Sequence, residues 1–170
     1  MYGVTVRHFA QRTRKNLASI ERLSRDEPHK YFEITQLINS SVGLLMFPQQ
    51  EFFDAVPATP LIELAIAGWP IPTFEHGGEK TRDLRQLLRY MRNSFAHYNI
   101  DFKPERGKIV GLYLWNRAAG SPDWLCYITV SDLRTLFEKF SKLAENIAAG
   151  TYSEVRVHHI RSEIARSKRS

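Results

Sequence analysis

The strongest constraint in the sequence is a change of hydrophobic period. From about residue 80 to 98, Leu84, Leu87, Leu88, Met91, Phe95 and Tyr98 recur at the spacing that a helix gathers onto one side. In KIVGLYLWN (108–116) and WLCYITV (124–130) that step gives way to runs rich in β-branched and aromatic residues, and the AAGSPD between them is rich in turn formers. From Ser131, read as a helix cap, the residues Leu133, Leu136, Phe137, Phe140, Leu143, Ala144 and Ile147 restore the helical step until Gly150 stops it. One core must therefore accommodate a hairpin between two amphipathic helices.

Upstream, residues from about 5 to 25 carry Val6, Phe9, Ala10, Leu17, Ile20 and Leu23 in a helical pattern among basic residues. Tyr31, Ile34, Ile38, Val42 and Leu45 repeat it from about 29 to 46, and Pro48 closes that segment. Between 48 and 80, Pro57, Pro60, Pro70, Pro72 and the pair Gly77-Gly78 interrupt any long period, leaving room for a short helix around Leu61 to Ala67. Connections this long often serve a site or a partner. The fold expected is mainly α: four principal helices with a β-hairpin, about 108–130, inserted before the last, in one domain spanning 1–150. Residues 151–170 form a basic C-terminal extension whose weak periodicity fits either a helix or a frayed chain.

A chain of 170 residues can bury a core without disulfides. Cys126 is the only cysteine, which excludes an internal disulfide and a cysteine-rich zinc site and suits a reducing compartment. The first residues lack the apolar core of a signal peptide, and no apolar run approaches the ~18 residues of a membrane span. A cytoplasmic protein with no membrane partner is expected.

The net charge of +6 is unevenly spread. Residues 1–25 hold six basic and one acidic residue, 26–80 two and eight, 81–150 eleven and seven, and 151–170 five and two. Both ends and the segment around residue 90 thus carry the positive excess that phosphate contacts exploit, although basic helices are also simply well solvated.

Within that segment lies RNSFAHYNI, residues 92–100. At about 100° per residue, Asn93 points away from the apolar stripe, Arg92 and His97 flank it, and Arg85 and Arg89 share the same face one or two turns earlier. A spacing of five is not the pairing that stabilises a helix, so the three polar groups spread over an open face able to receive an anion or a second copy of itself. Histidine can move a proton near neutral pH, arginine can hold phosphate oxygens in a fork, and asparagine can orient either by hydrogen bonding. Together they suit RNA cleavage, in which the substrate's own 2′-hydroxyl attacks and the protein supplies proton transfer and charge stabilisation, a route needing no metal or cofactor.

RNSFAH resembles the arginine, polar residue, short spacer and histidine that mark the HEPN superfamily (higher eukaryotes and prokaryotes nucleotide-binding domain). The helical order, and LLMFPQQEF after the second helix, are similar to HEPN proteins of bacterial plasmid and defence loci. The resemblance implies a HEPN-like α-helical bundle and a metal-independent endoribonuclease, often a toxin or antiviral effector. It also implies a homodimer with the motif at the interface and an antitoxin or defence-system partner. Carried over to this chain, Arg92 and His97 are the catalytic pair, Asn93 supports them, and the products are a cyclic phosphate and a 5′-hydroxyl; Arg85 and Arg89, outside the motif but on the same helix face, are expected to bind the RNA. HEPN toxins paired with nucleotidyltransferase antitoxins have a tyrosine two residues after the histidine; this chain has Asn99 there and Tyr98 before it. Other members are non-catalytic RNA- or nucleotide-binding modules, and a helical dimerisation protein is a third alternative.

Remaining residues that invite a chemical role fit ordinary ones better. His158 and His159 are adjacent and cannot share a helix face, and His8, His29 and His76 are isolated, so no metal site is expected. Gly77-Gly78 lacks the spacing of a phosphate loop and reads as a flexible turn. Trp69, Trp115 and Trp124 are able to stack bases, but aromatics on a hairpin or beside prolines more often pack. Cys126, within an apolar strand, reads as an inert core residue.

Overall fold

The computed structural model describes residues 2–27, 30–48, 50–118 and 121–150. Six helices occur among them: α1 (Tyr2–Asp26), α2 (Glu33–Met46), α3 (Gln50–Ala55), α4 (Leu61–Ile66), α5 (Leu84–Ala96) and α6 (Val130–Ala148). Four strands, β1 (Thr73–His76), β2 (Ile100–Glu105), β3 (Lys108–Ala118) and β4 (Ser121–Thr129), form one antiparallel sheet in the order β1-β4-β3-β2. The basic extension assigned to 151–170, with His158 and His159, and His29 lie outside the described residues.

The four long helices appear where the apolar period placed them. Helix α1 packs against α2 and α6, and α5 packs against β3 and α2. Ion pairs Arg14–Glu145 at 3.0 Å and Arg134–Glu21 at 2.6 Å flank the α1–α6 seam, and Ser141 Oγ donates to the Ala10 carbonyl across it at 3.1 Å. Leu37, Leu45, Leu87, Leu88, Met91, Leu114, Trp124, Leu133 and Phe140 are among the side chains fully withdrawn from water.

The expected hairpin is the centre of a larger sheet. Tyr113 faces Tyr127 and Leu114 faces Cys126 across β3 and β4, while β2 adds to the far side of β3 and β1 to the far side of β4. Two other expectations change. The last helix is capped not by Ser131 but by Thr129, whose hydroxyl accepts from the Asp132 amide at 3.0 Å. The chain enters α6 directly from β4, so the cap must be the strand's own last residue, and threonine suits both states. The Gly77-Gly78 segment is a packed turn rather than a loose one. Gly77 has φ +69°, and a Cβ there would collide with the Asp123 carbonyl; Lys80 Nζ ties the same carbonyl at 3.1 Å. Trp124 Nε1 then donates to Thr81 Oγ1 at 2.8 Å, closing the entry to α5 over the buried indole.

Cys126 is fully buried on the inner face of β4. Burial, with a smaller contribution from the Glu75 carboxylate, pushes its thiol up to about 12. Because the folded state holds the proton well above the ordinary thiol range, no appreciable thiolate exists at pH 8. A disulfide-exchange reagent at that pH should label the native protein slowly and the denatured protein at once; fast stoichiometric labelling of native protein would contradict the burial.

Candidate functional site

Helix α5 begins on a built cap. Asp83 accepts from the Gln86 amide at 2.9 Å, and Gln86 Oε1 in turn accepts from the Arg82 amide at 2.8 Å. Leu84, Leu87, Leu88, Met91, Ser94 and Phe95 form its buried side. Arg89 and Asn93 are exposed, whereas Arg85 and Arg92 are half-buried.

The other end stops two residues before Tyr98, the last residue of the apolar period, at Ala96, and His97 is the C-cap. The Tyr98 amide donates to the Phe95 carbonyl at 3.3 Å, and the Asn99 amide reaches back to the Ser94 carbonyl at 2.9 Å. These two bonds define a Schellman closure, whose turning residue needs a left-handed backbone. That residue is Tyr98, at φ +55° and 88% exposed, in a position where glycine is the usual occupant.

Polar groups then fix this end to the sheet. Ser94 Oγ lies 3.0 Å from the Tyr90 carbonyl and 2.9 Å from the Trp115 carbonyl, so its proton can be donated to helix or strand. Asn116 Nδ2 donates to the Tyr90 carbonyl at 2.9 Å, and the Trp115 amide donates to the Asn99 carbonyl at 3.2 Å. Neither Ser94 nor Asn116 is among the residues that the sequence motif singles out. Asn116 had a legible signal, because it occupies the inward position after Leu112 and Leu114 where a third apolar residue is expected.

The five expected site residues divide between two adjoining hollows. Arg85, Arg89, Arg92 and Asn93 line one of about 250 Å³ together with Phe53 and Asp54. His97 lines a second, of about 400 Å³, with Tyr90, Asn99, Asn116, Arg117 and Asp123. Asn93 belongs to both walls. Among the described residues, neither the Asn93 nor the His97 side chain has a hydrogen-bond or ion-pair partner. Their polar atoms are therefore available to a ligand.

The first hollow is a row of cations on an aromatic floor. The Arg92 guanidinium sits 5.0 Å over the Phe53 ring, which tilts against Phe140 of the core at 6.5 Å. Arg85 Nε donates to the Val56 carbonyl at 2.7 Å, so this arginine braces the chain after α3 as well as facing the hollow. Phe53 gave no sequence signal, since its contact with Arg92 joins elements far apart in the chain. Among the described residues no group of three or more His, Cys, Asp or Glu side chains could hold a metal ion, and no helix is long and apolar enough to cross a membrane.

Compared with known proteins, the chain matches the family model described as HEPN pEK499 p136 over residues 2–149. No curated protein and no solved structure matches it.

The backbone at Tyr98 makes a separable prediction. Glycine removes the left-handed penalty of about 1–2 kcal/mol and gives part of that back as unfolded-state entropy. Tyr98→Gly should therefore raise the unfolding free energy by about 0.5–1 kcal/mol in a urea titration. A loss of stability would mean that the tyrosine ring, not the backbone, holds this turn.

Proposed function

The chain belongs to the HEPN pEK499 p136 family, and from that premise we propose that it is an endoribonuclease cleaving single-stranded RNA through attack by the substrate's 2′-hydroxyl. The observation that carries the reading is the partition of the RNSFAH residues. A cationic hollow holding Arg92 adjoins one holding His97, and Asn93, with no side-chain partner among the described residues, stands between them. In this reading the arginines hold the phosphate adjoining the scissile bond and spread the charge of the phosphorane. His97 moves the proton between the 2′-hydroxyl and the leaving 5′-oxygen, and Asn93 orients one of them. The nucleophile comes from the substrate, so the route calls for no metal, and the products are a cyclic phosphate and a 5′-hydroxyl.

Arg92 and His97 of one chain face neighbouring hollows rather than a common one, which supports a homodimeric site. Two copies meeting at this face set one protomer's arginines against the other's histidine. The reading further makes the protein a bacterial toxin or antiviral effector acting in the cytoplasm, held in check by an antitoxin or defence-system partner.

A specific observation favours the second reading, a non-catalytic RNA- or nucleotide-binding module. Among the described residues no side chain is hydrogen-bonded to His97 to orient its ring, and a general base is commonly held by one. Such a module binds RNA in a salt-sensitive manner and releases no product.

Incubating the purified protein with mixed single-stranded RNA in the presence of chelator separates the two. Cleavage is expected, with His97→Ala and Arg92→Ala each reducing its rate by about 10²–10⁴-fold. Intact RNA from the wild type, or equal cleavage by His97→Ala, overturns the nuclease reading, and salt-sensitive retention of intact RNA selects the binding module.

A further inference from the structure

The two long strands have faces of opposite character. Leu112, Leu114 and Asn116 on β3 and Trp124, Cys126 and Ile128 on β4 point inward and are buried. The alternate residues Tyr113, Trp115, Leu125 and Tyr127 lie on the outer face and are only half-buried. Tyr113 pairs with Tyr127 and Trp115 with Leu125, so this is a contiguous patch rather than scattered side chains. It opens into a hollow of about 300 Å³.

Three features of the patch go beyond core packing. The Tyr113 and Tyr127 rings lie 5.0 Å apart, and the Lys103 ammonium sits 4.8 Å over Tyr127, so a cation already occupies an aromatic face there. Gly111 makes this possible, because a Cβ at that position would run into the Tyr127 ring. Trp115 Nε1, a donor withdrawn from the surface, has no acceptor among the described residues, an unmet bond that is costly in a sheet face built only for packing.

The patch is also continuous with the candidate site. Arg117 lines both the aromatic hollow and the one that holds His97, just as Asn93 lines both that and the arginine hollow. Three hollows thus share walls in sequence: cationic, then His97, then aromatic. A chain that alternates phosphates with flat bases matches this order, since arginines take the phosphates and aromatic rings take the bases. A duplex does not, because its bases are already stacked on one another.

We propose that the outer face of the sheet is a stacking platform for the bases of a single-stranded RNA, whose strand continues past His97 into the arginine hollow. The platform rests on the RNA reading above and adds to it where the strand lies. Arg117 is the hinge residue of the track, holding the phosphate between the stacked bases and the cleavage point.

The test uses the full chain with an oligouridine of about ten nucleotides, within the usual site size for single-strand binders, bearing 2′-O-methyl groups so that it lacks the nucleophile and stays intact. Ultraviolet cross-linking to wild-type protein should yield adducts in peptides from 108–118 or 121–129. Fluorescence anisotropy should show binding weakened about tenfold in Tyr113→Leu, which keeps the apolar area, and restored in Tyr113→Trp, which keeps a stacking face. Adducts confined to the helices, or Tyr113→Leu binding like the wild type, overturn the platform even where the wild type still cleaves ordinary RNA, so the nuclease reading survives that failure. A wild type that neither cleaves ordinary RNA nor binds the blocked strand overturns both. Tyr113→Leu converting a dimer into a monomer assigns the face to a second copy of the chain and likewise overturns the platform.

Discussion

The joint between the end of α5 and strand β3 is the interaction on which the rest of the site depends. A helix end carries carbonyls that its own turns cannot satisfy. Here the Ser94 carbonyl is taken by the Asn99 amide, while the Tyr90 carbonyl, a turn further into the helix, receives Asn116 Nδ2 and lies within reach of Ser94 Oγ. Ser94 and Asn116 are buried polar residues whose desolvation is tolerable only because each has a partner. Removing Ser94 takes a donor from the Trp115 carbonyl in a dry environment, which costs more than the hydrogen bond is worth when formed. His97, three residues beyond Ser94, is held by this joint through the backbone and not through its own side chain.

The arginine row imposes the opposite kind of constraint. Arg85, Arg89 and Arg92 follow one another at steps of four and three, so each stands beside a like charge on the same helix face, at about 0.2–0.5 kcal/mol per pair. Two of the three have other attachments: Arg85 through the Val56 carbonyl, Arg92 through the Phe53 ring. These contacts order the guanidinium groups before any ligand arrives, which lowers the entropy lost when an anion binds. An incoming phosphate also relieves their mutual repulsion. The aromatic floor therefore belongs to the electrostatics of the hollow as well as to the packing of α3.

The four long helices and the two central strands were legible because each is long enough for its period to repeat and each buries one side. Strands β1 and β2 were not. TFEH is four residues, and IDFKPE has polar or charged side chains at alternate and adjacent positions and includes Pro104. Both lie at the edges of the sheet, where pairing with a long neighbour supplies what their own sequences lack. The motif itself could be read, together with the expectation that its polar residues face away from the core. Its division into two hollows could not, because that follows from the helix ending at Ala96 and from Phe53 and Arg117 arriving from distant parts of the chain. Periodicity extrapolated through His97 as though the helix continued, whereas Tyr98 turns the chain left-handed immediately afterwards.

That turn also determines how independent the site is of the fold. Asn99 donates its amide to the helix and offers its carbonyl to Trp115, so one residue is shared between the closure of α5 and the start of the β2–β3 ladder. Trp115 is shared in turn: its amide donates to the Asn99 carbonyl and its carbonyl lies within reach of Ser94 Oγ, while its side chain lies on the outer face of the sheet. A displacement of β3 therefore carries the His97 cap with it, and opening the cap removes bonds from the sheet. Local unfolding divides proteins where few buried bonds cross a boundary; between α5 and β3 they cross at Tyr90, Ser94 and Asn99. The histidine hollow is therefore expected to open only together with the core strands, and hydrogen exchange at the Asn99 and Trp115 amides should be as slow as in those strands.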